Sequence, residues 1–312
     1  MVFYDTMKKY LFSSLFAAAI LNAGPVNVGA QSLYPVVVNG RWGFTDKAGQ
    51  TVINPQFDHA GAFAAGLAPV KMGHWGYVDA SGKIQINPQF DRADSFSEGL
   101  AAVKGGGGPG PYYDPRPYSP FHGGGGRAGF IDSSGKYIIN PQFDDAGMFS
   151  GGLAPVKMGR WGFVDKTGKV VINPQFDKAL SFSEGLATVK SGKLWGFVDK
   201  SGKLTINPQF DDAGSFVKGL APVRQGKQWG FIDPAGKFVI NPQFDGAGEF
   251  SGGLAPVKQG KLWGYIDTTG KFVINPQYDD AESFVNGLAS VKSAGRFGYV
   301  DTTGKYIWNP SK

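Results

Sequence analysis

The chain has no cysteine among its 312 residues and only three histidines. Without cysteine there is no disulfide framework, no thiolate metal site and no cysteine nucleophile. His59, His74 and His122 fall at unrelated positions, so they form neither a metal-ligand spacing nor a catalytic triad. We therefore expect no metal site, no cofactor and no catalytic residue.

Long hydrophobic runs are also scarce, and the most apolar one lies near the N-terminus. Lys8 and Lys9 precede an apolar run at 10–21, about 12 residues long against the ~20 that a spanning helix needs. A stretch ending in Val28-Gly29-Ala30 follows, so residues 1–30 have the parts of a secretory signal peptide. We predict cleavage after Ala30. The mature protein is then exported, periplasmic or extracellular at the cell surface, and has no transmembrane segment.

Charge of one sign is only slightly in excess. The net charge is +6, and the basic residues are spread along the chain rather than clustered in it. Nucleic-acid-binding domains usually carry a basic patch or stripe. Nucleic acid is therefore not an expected partner.

What the sequence does have is a repeat. The segment at 161–190 reads WGFVDKTGKVVINPQFDKALSFSEGLATVK, and degenerate copies of its Trp-Gly pair stand at Ala128-Gly129 and Phe297-Gly298. The copies follow one another at 33 or 34 residues, except for one step of 53 that contains an insertion of 20 residues. A fixed period of this length is typical of a repeat architecture. The six intact Trp-Gly pairs begin at Trp42, Trp75, Trp161, Trp195, Trp229 and Trp263.

Each unit predicts three short β-strands. Alternating residues at 161–165 predict strand A, and Asp165 and Gly168 predict a tight turn into strand B at 169–173. The Asn-Pro pair at 173–174 is predicted to end strand B, since proline cannot donate to a strand ladder. Strand C follows at 186–190, after a connector with two phenylalanines. Its third position is proline in several units, which predicts an edge strand or a bulge there.

These motifs resemble the WG repeat family. The resemblance rests on the Trp-Gly pair, the Asp-x-x-Gly-Lys turn, the Ile-Asn-Pro-Gln-Phe-Asp run and the Phe-x-x-Gly-Leu-Ala-x-Val-Lys segment, and it covers about residues 34–310. The family occurs mainly in bacteria, as arrays of varying copy number, and most members have no assigned biochemistry. The resemblance therefore implies an architecture and supplies no catalytic residue.

We predict an all-β domain at 31–312, a tandem repeat of eight three-stranded antiparallel units of about 34 residues. The units are expected to stack as an open, superhelical, solenoid-like array. The alternative is a closed ring like a β-propeller, completed by the first strand. Propeller blades usually have four strands and forty or more residues, so three strands in a unit of this length favour the open array.

The repeated polar and aromatic columns are expected to be structural. Asp165 and Asp177 recur through the repeat, so we predict turn stabilisation rather than acid–base chemistry or calcium binding. The tryptophan column is predicted to be core rather than a stacking platform for sugars. The lysine columns at Lys157 and Lys169 are predicted to pair with the aspartates rather than to form a basic stripe for anionic polymers.

The one non-repetitive feature is the insertion at 105–127, which reads GGGGPGPYYDPRPYSPFHGGGGR. Glycine runs at both ends and a Pro/Tyr centre predict a flexible or extended segment, which is either a tolerated linker or a contact site. A contact site would engage a protein partner or a cell-envelope polysaccharide. Its candidate binding residues are Tyr112, Tyr113, Arg116, Tyr118 and Phe121.

The sequence therefore predicts an exported, non-catalytic repeat protein that presents a binding surface. One alternative is a protein that binds carbohydrate or a cell-envelope polymer, which would need aromatic side chains exposed in register. A second alternative is an uncharacterised enzyme. That would need a polar cluster present in only one unit, and the sequence shows none.

Overall fold

A computed structural model describes residues 33–105 and 126–311. The described part is all β, and its eight consecutive units confirm the predicted tandem repeat of antiparallel strands. Within these two ranges no helix is long and apolar enough to cross a membrane. The predicted signal peptide at 1–30 lies outside the described residues. So do the five candidate residues of the insertion, Tyr112, Tyr113, Arg116, Tyr118 and Phe121.

The three predicted strands are present in every unit, in the order C, A, B across the sheet. The C strands are Tyr34–Val38, Leu67–Met72, Ala101–Gly105, Leu153–Met158, Leu186–Ser191, Ala221–Gln225, Ala255–Gln259 and Leu288–Ser293. The A strands are Arg41–Thr45, His74–Asp79, Ala128–Ile131, Arg160–Asp165, Leu194–Asp199, Gln228–Ile232, Leu262–Ile266 and Arg296–Asp301. The B strands are Thr51–Phe57, Ile84–Ala93, Tyr137–Phe143, Val170–Phe176, Leu204–Phe210, Phe238–Phe244, Phe272–Tyr278 and Tyr306–Ser311.

Strand B is longer than predicted, because the Asn-Pro pair does not end it. In unit 5, Trp195 pairs with Phe210 while Phe197 pairs with Ile206, so two steps on strand A face four on strand B. The extra residues form a bulge that contains Pro208. Pro208 lies in a strand B at the outer edge of its sheet, where a missing proline N–H leaves no ladder bond unmade. The other B strands are also outer edges, except that the end of Ile84–Ala93 pairs with strand C of unit 3. A proline here also hinders pairing with another chain.

The bulge explains the glycine of the Trp-Gly pair. A Cβ built on Gly196 would lie 2.5 Å from the backbone O of Ile206 and 2.7 Å from the N of Pro208. The equivalent distance to the isoleucine O is 2.4–2.6 Å in units 1 to 4, 6 and 7. Strand B therefore crosses strand A so closely that only glycine fits beneath it.

A short fourth strand, which was not predicted, begins each connector and pairs with strand C. It is His59–Ala60, Asp145–Ala146, Lys178–Ala179, Asp212–Ala213, Gly246–Ala247 and Asp280–Ala281. In unit 3 the end of Ile84–Ala93 takes this place. Strand C is therefore an interior strand over part of its length. Among the described residues, unit 1 alone has no fourth strand.

The prolines of strand C lie just past the last pair with the fourth strand. Pro256 O accepts a hydrogen bond from Gly248 N at 2.8 Å, and a Cβ on Gly248 would meet Pro256 Cγ at 2.7 Å. Glycine therefore faces proline in four units. The other three connector-bearing units have neither residue, since Asp94, Leu180 and Glu282 face Ala102, Thr188 and Ser290. The two positions thus vary together, as steric contact between them requires.

The core lies between neighbouring sheets. Between units 4 and 5, Phe163, Ile172 and Phe176 of the first sheet pack on Ala187 and Val189 of the second. The connector adds a phenylalanine that reaches back to strand A of the unit before, with ring centroids 4.7–4.9 Å apart at all seven such contacts. Large side chains on one face and small ones on the other let identical units pack in series.

The first and last units also touch, through the contact that joins every other pair. Gly202 of the A–B turn in unit 5 packs on Ile172 of unit 4, and Gly49 of unit 1 packs on Trp308 of unit 8 in the same way. The Tyr299 hydroxyl of unit 8 donates to Pro35 O of unit 1 at 2.7 Å. The eight units therefore form a closed ring.

The expected open array is thus corrected in favour of the ring that was its alternative. The expectation rested on a unit too thin for a propeller blade. The connector supplies the missing material, because its short strand gives seven of the eight units a fourth strand and its phenylalanine fills the space between units. Units 2 and 3 share Ile84–Ala93 and so form one seven-stranded sheet. The repeat of small antiparallel sheets itself is as predicted.

Candidate functional site

The turns between strands C and A all lie at one end of the ring, together with the junctions where strand B leads into the next unit. An aspartate stands at each junction, and after units 1, 3 and 4 it joins two neighbouring turns. Asp177 accepts a hydrogen bond from Gly192 N of the next turn at 2.6 Å, and its other oxygen binds Arg160 of the preceding turn at 2.6 Å. We call this end of the ring the C–A face.

Both aspartate columns have the predicted structural role. At the opposite end of the ring, Asp165 Oδ1 accepts from the backbone N–H groups of Thr167 and Lys169 at 2.9 and 3.0 Å. These bonds stabilise the carboxylate, and the pKa of Asp165 lies below its usual range, chiefly through the hydroxyl of Thr167. The pKa of Asp177 is lowered first by Arg160.

The basic residues, spread along the sequence, come together in space on the C–A face. One column ends strand C, and a second occupies the C–A turn, where every side chain is exposed. The strand column is Lys71, Lys104, Lys157, Lys190, Arg224, Lys258 and Lys292. The turn column is Arg41, His74, Arg127, Arg160, Lys193, Lys227, Lys261 and Arg296.

The charge of the described residues therefore divides between the two ends. The half of each unit next to the C–A face comprises the two basic columns, the junction aspartates and the first residues of the fourth strands. It carries 16 Lys and Arg side chains and 10 Asp side chains, a net charge of +6. The other half carries 11 basic and 13 acidic side chains, a net charge of −2. The repeat turns an even distribution along the chain into a basic face, because equivalent residues lie at equivalent heights in the ring.

The prediction that the lysine columns form ion pairs with aspartate is wrong for the described residues. Within residues 33–105 and 126–311, no member of the Lys157 or Lys169 column has its amino nitrogen within 4.0 Å of a carboxylate oxygen. Lys169 influences Asp165 only at longer range. The turn column makes the pairs instead, in units 1 to 4, as Arg41–Asp58, His74–Asp91, Arg127–Asp144 and Arg160–Asp177.

The tryptophans lie at the C–A face but pack into the core, as predicted. Trp195 and Trp229 are 8% and 5% exposed, and the other four pack against the clusters between sheets. Lys190 Nζ covers the ring of Trp195 at 5.6 Å. Phe297 is the one strongly exposed aromatic residue in the described ranges. The described ranges therefore contain no row of exposed aromatic rings on which a sugar polymer could stack.

Unit 3, which carries the insertion, departs from this arrangement. In unit 2 the first residue of the fourth strand lies between two tryptophans: the ring of His59 is 4.7 Å from that of Trp42 and 5.4 Å from that of Trp75. Unit 3 has Ala128 in place of tryptophan. The space of one indole ring is thus left between the equivalent residues Arg92 and Asp145.

A charged cluster fills this space. Arg92 Nη1 lies 2.6 Å from Asp145 Oδ1, and its Nε and Nη2 bind the two oxygens of Asp94 at 3.1 and 3.0 Å. Asp94 is 3% exposed in its side chain, and burial raises its pKa although Arg92 opposes the shift. The pKa of Arg92 is raised above its usual value, first by Asp94. One guanidinium between two carboxylates leaves the cluster with one negative charge.

The cluster borders the two ends of the insertion. Arg92 and Asp145, but not the buried Asp94, form with Lys104 and Ala128 a surface indentation too shallow to enclose a water molecule. Lys104 Nζ donates to Asp144 O at 3.0 Å, and Arg127 donates to Gln142 O at 2.8 Å. These charged groups therefore lie at the surface beside the root of the insertion.

This cluster was not predicted from the sequence, in which no polar group confined to one unit was recognised. Two signals were available. Unit 3 has Ala128 where tryptophan is usual, and Asp94 where four other units have glycine. No group of three or more His, Asp or Glu side chains in the described ranges is placed to hold a metal ion.

Comparison with known proteins places the repeat in a family. The pattern described as "WG containing repeat" matches seven segments, at 42–73, 75–107, 129–160, 161–195, 195–229, 229–263 and 263–296. No curated protein is significantly similar in sequence.

Similar solved structures share little sequence with the chain. A structure titled as the eukaryotic initiation factor is 11% identical, covers 91% of this chain and 85% of its own, and has a TM-score of 0.56. A second structure, 9% identical, is that of PorZ of Porphyromonas gingivalis, which is described as a surface component of the type-IX secretion system. It covers 86% of this chain and 44% of its own length, with a TM-score of 0.44. The first likeness shows a shared fold alone.

Proposed function

The chain belongs to the WG repeat family, and we propose that it is a non-catalytic binding scaffold whose specific contact lies at unit 3. One observation carries the proposal: in unit 3 the repeat loses its tryptophan, gains the Arg92–Asp94–Asp145 cluster and is interrupted by the insertion, all at the same turn. A rigid ring would hold that turn in a fixed position. Binding residues are found disproportionately on loops that a rigid scaffold positions.

The aromatic and basic residues of the insertion suit this role. Tyrosine, tryptophan and arginine dominate the energetics of protein interfaces. Tyr112, Tyr113, Arg116, Tyr118 and Phe121 are therefore the proposed contacts, with a protein or a cell-envelope polysaccharide as partner. Since the ring offers no exposed row of aromatic residues, carbohydrate binding would rest on the insertion.

The binding test uses two variants of the full chain. One replaces residues 106–125 by a direct Gly105–Gly126 connection, and the other changes Tyr112, Tyr113, Tyr118 and Phe121 to serine. Isolated peptidoglycan sacculi and a glycan array serve as probes. We expect binding to one of them and a loss of affinity of at least ~tenfold in both variants, because interface aromatics each contribute ~2 kcal/mol or more. Loop-closure entropy changes slowly with length, so the free energy of unfolding should change by at most ~1 kcal/mol.

A matched control changes Val171, Val239 and Val273 to serine, at exposed positions on the outer edges of strand B. This variant should bind like the parent. Unchanged affinity after removal of the insertion would place the contact elsewhere on the ring.

Export is part of the proposal and has its own test. The charged and apolar segments of residues 1–30 support secretion with cleavage after Ala30. N-terminal sequencing of protein recovered outside the cytoplasm should begin at Gln31. A recovered protein that keeps residues 1–30 would contradict it.

A further inference from the structure

The C–A turns of units 5 to 8 carry cations that no carboxylate neutralises at short range. Lys193, Lys227, Lys261 and Arg296 are exposed and have no described carboxylate within 4.0 Å. In units 1 to 4 the arginine or histidine of the turn stands directly before the tryptophan position and pairs with the junction aspartate. In units 5 to 7 the lysine of the turn stands two residues before the tryptophan. The side chain is therefore displaced from the carboxylate.

The same turns expose apolar side chains next to these cations. Leu194, Leu262 and Phe297 are 37%, 38% and 44% exposed, and each follows a basic residue directly. Scattered exposed leucines need no explanation, but two leucines at equivalent turn positions and a phenylalanine at the neighbouring tryptophan position form a pattern on one face. Lys292 Nζ lies over the ring of Phe297 at 5.3 Å, so charge and apolar surface are combined there too.

The ring sets the shape of the partner. The four turns are consecutive and lie at one end, and because neighbouring sheets pack about 10 Å apart, they span roughly 30 Å. A partner that reaches all four must be broad, with negative charge spread over its surface and an apolar layer beneath. A single polyanionic chain would satisfy the cations but leave the leucines and the phenylalanine in water.

We propose that the C–A turns of units 5 to 8 dock on an anionic phospholipid bilayer, with the basic residues against the headgroups and Leu194, Leu262 and Phe297 inserted between them. Basic residues near such a surface add attraction that salt screens, and apolar side chains add a part that salt does not screen. This docking is separate from the ligand contact at unit 3. It would hold the ring beside a membrane without a spanning segment.

The test measures co-sedimentation of the full chain with vesicles of phosphatidylcholine alone or with 30% phosphatidylglycerol. We expect binding only to the anionic vesicles at 50 mM salt and weaker binding at 500 mM. A variant with Lys193, Lys227, Lys261 and Arg296 changed to glutamine should lose at least ~tenfold in affinity, because each basic residue near an anionic surface adds to the attraction. Residues 1–32 are common to all variants and cancel in the comparison.

The matched control changes Lys203, Lys237, Lys271 and Lys305 to glutamine. These lysines belong to the same four units, are exposed and lie at the opposite end of the ring. The net charge falls equally, so affinity should fall less than ~twofold if the C–A face is the docking surface. An equal loss in both variants would reduce the effect to net charge and overturn the proposal.

A third variant changes Leu194, Leu262 and Phe297 to serine. It should lose the binding that remains at high salt and keep its melting temperature, since all three side chains are exposed. Two results would overturn the proposal: unchanged vesicle binding in this variant, or binding of the parent to soluble polyphosphate but not to the vesicles. Either would make this face a site for polyanions.

Discussion

Replacing Gly196 by alanine is expected to cost at least ~3 kcal/mol of unfolding free energy, although it adds a single methyl group. The new Cβ would lie 2.5 Å from Ile206 O and 2.7 Å from Pro208 N, and both are backbone atoms. Pairing on either side of the bulge holds them in place. Overpacking that a side-chain rotation cannot relieve costs 1–3 kcal/mol or more. The denaturant midpoint measures the loss.

Gly192→Ala is the matched control, four residues earlier in the same unit. Its φ is +62° and no atom lies within 4 Å of a built Cβ, so only the left-handed backbone opposes the change, on the order of 1 kcal/mol. If the two substitutions cost the same, the Trp-Gly glycine is not needed for the crossing of strand B.

Changing Tyr34 to alanine is expected to cost ~3–5 kcal/mol, even though it brings unit 1 closer to the repeat. The other seven units have alanine at this position, facing a connector phenylalanine. No described connector covers strand A of unit 8, so Tyr34 fills that space from the opposite sheet, 6.0 Å from the ring of Tyr299. Removal of a buried aromatic ring leaves a cavity of corresponding cost. Thermal melting measures it.

Tyr34→Phe is the control, because it keeps the ring and removes only a long hydrogen bond of 3.4 Å to Asn286 O. It should change stability by about 1 kcal/mol at most. Full stability in the alanine variant would mean that contact between units 1 and 8 contributes nothing in solution.

Ring closure can be measured directly, because the chain has no cysteine of its own. Spin labels at Lys47→Cys and Lys305→Cys would sit on the exposed A–B turns of units 1 and 8. Pulsed electron paramagnetic resonance should find them within about 25 Å. A straight stack with sheets 10 Å apart would separate them by roughly 70 Å, and such a distance would contradict the ring.

Much of the unit could be predicted from the sequence, because its signals are local. Residue alternation identified strands A and C, and the Asp165–Gly168 turn makes the predicted bonds. Strand B was misjudged at its end, since a proline that usually stops a strand is tolerated in a bulge on the sheet edge. The two-residue fourth strand was missed because two residues show no periodicity.

The candidate site was not predictable in the same way. Arg92 and Asp145 are 53 residues apart in the chain, and the insertion lies between them. They meet because a third residue, Ala128, is small. A sequence shows that substitution but not which side chains enter the vacated space.

The sequence by itself determined the eight-fold repeat, the strands, the turns and the alternation of large and small faces, because each depends on residues close together in the chain. Only the tertiary structure decided that the units close into a ring, that the cations gather on one face and that a half-buried cluster of Arg92, Asp94 and Asp145 forms at unit 3. Closure depends on the angle between neighbouring sheets summed over eight contacts. No single motif carries that angle, since it results from how every interface packs.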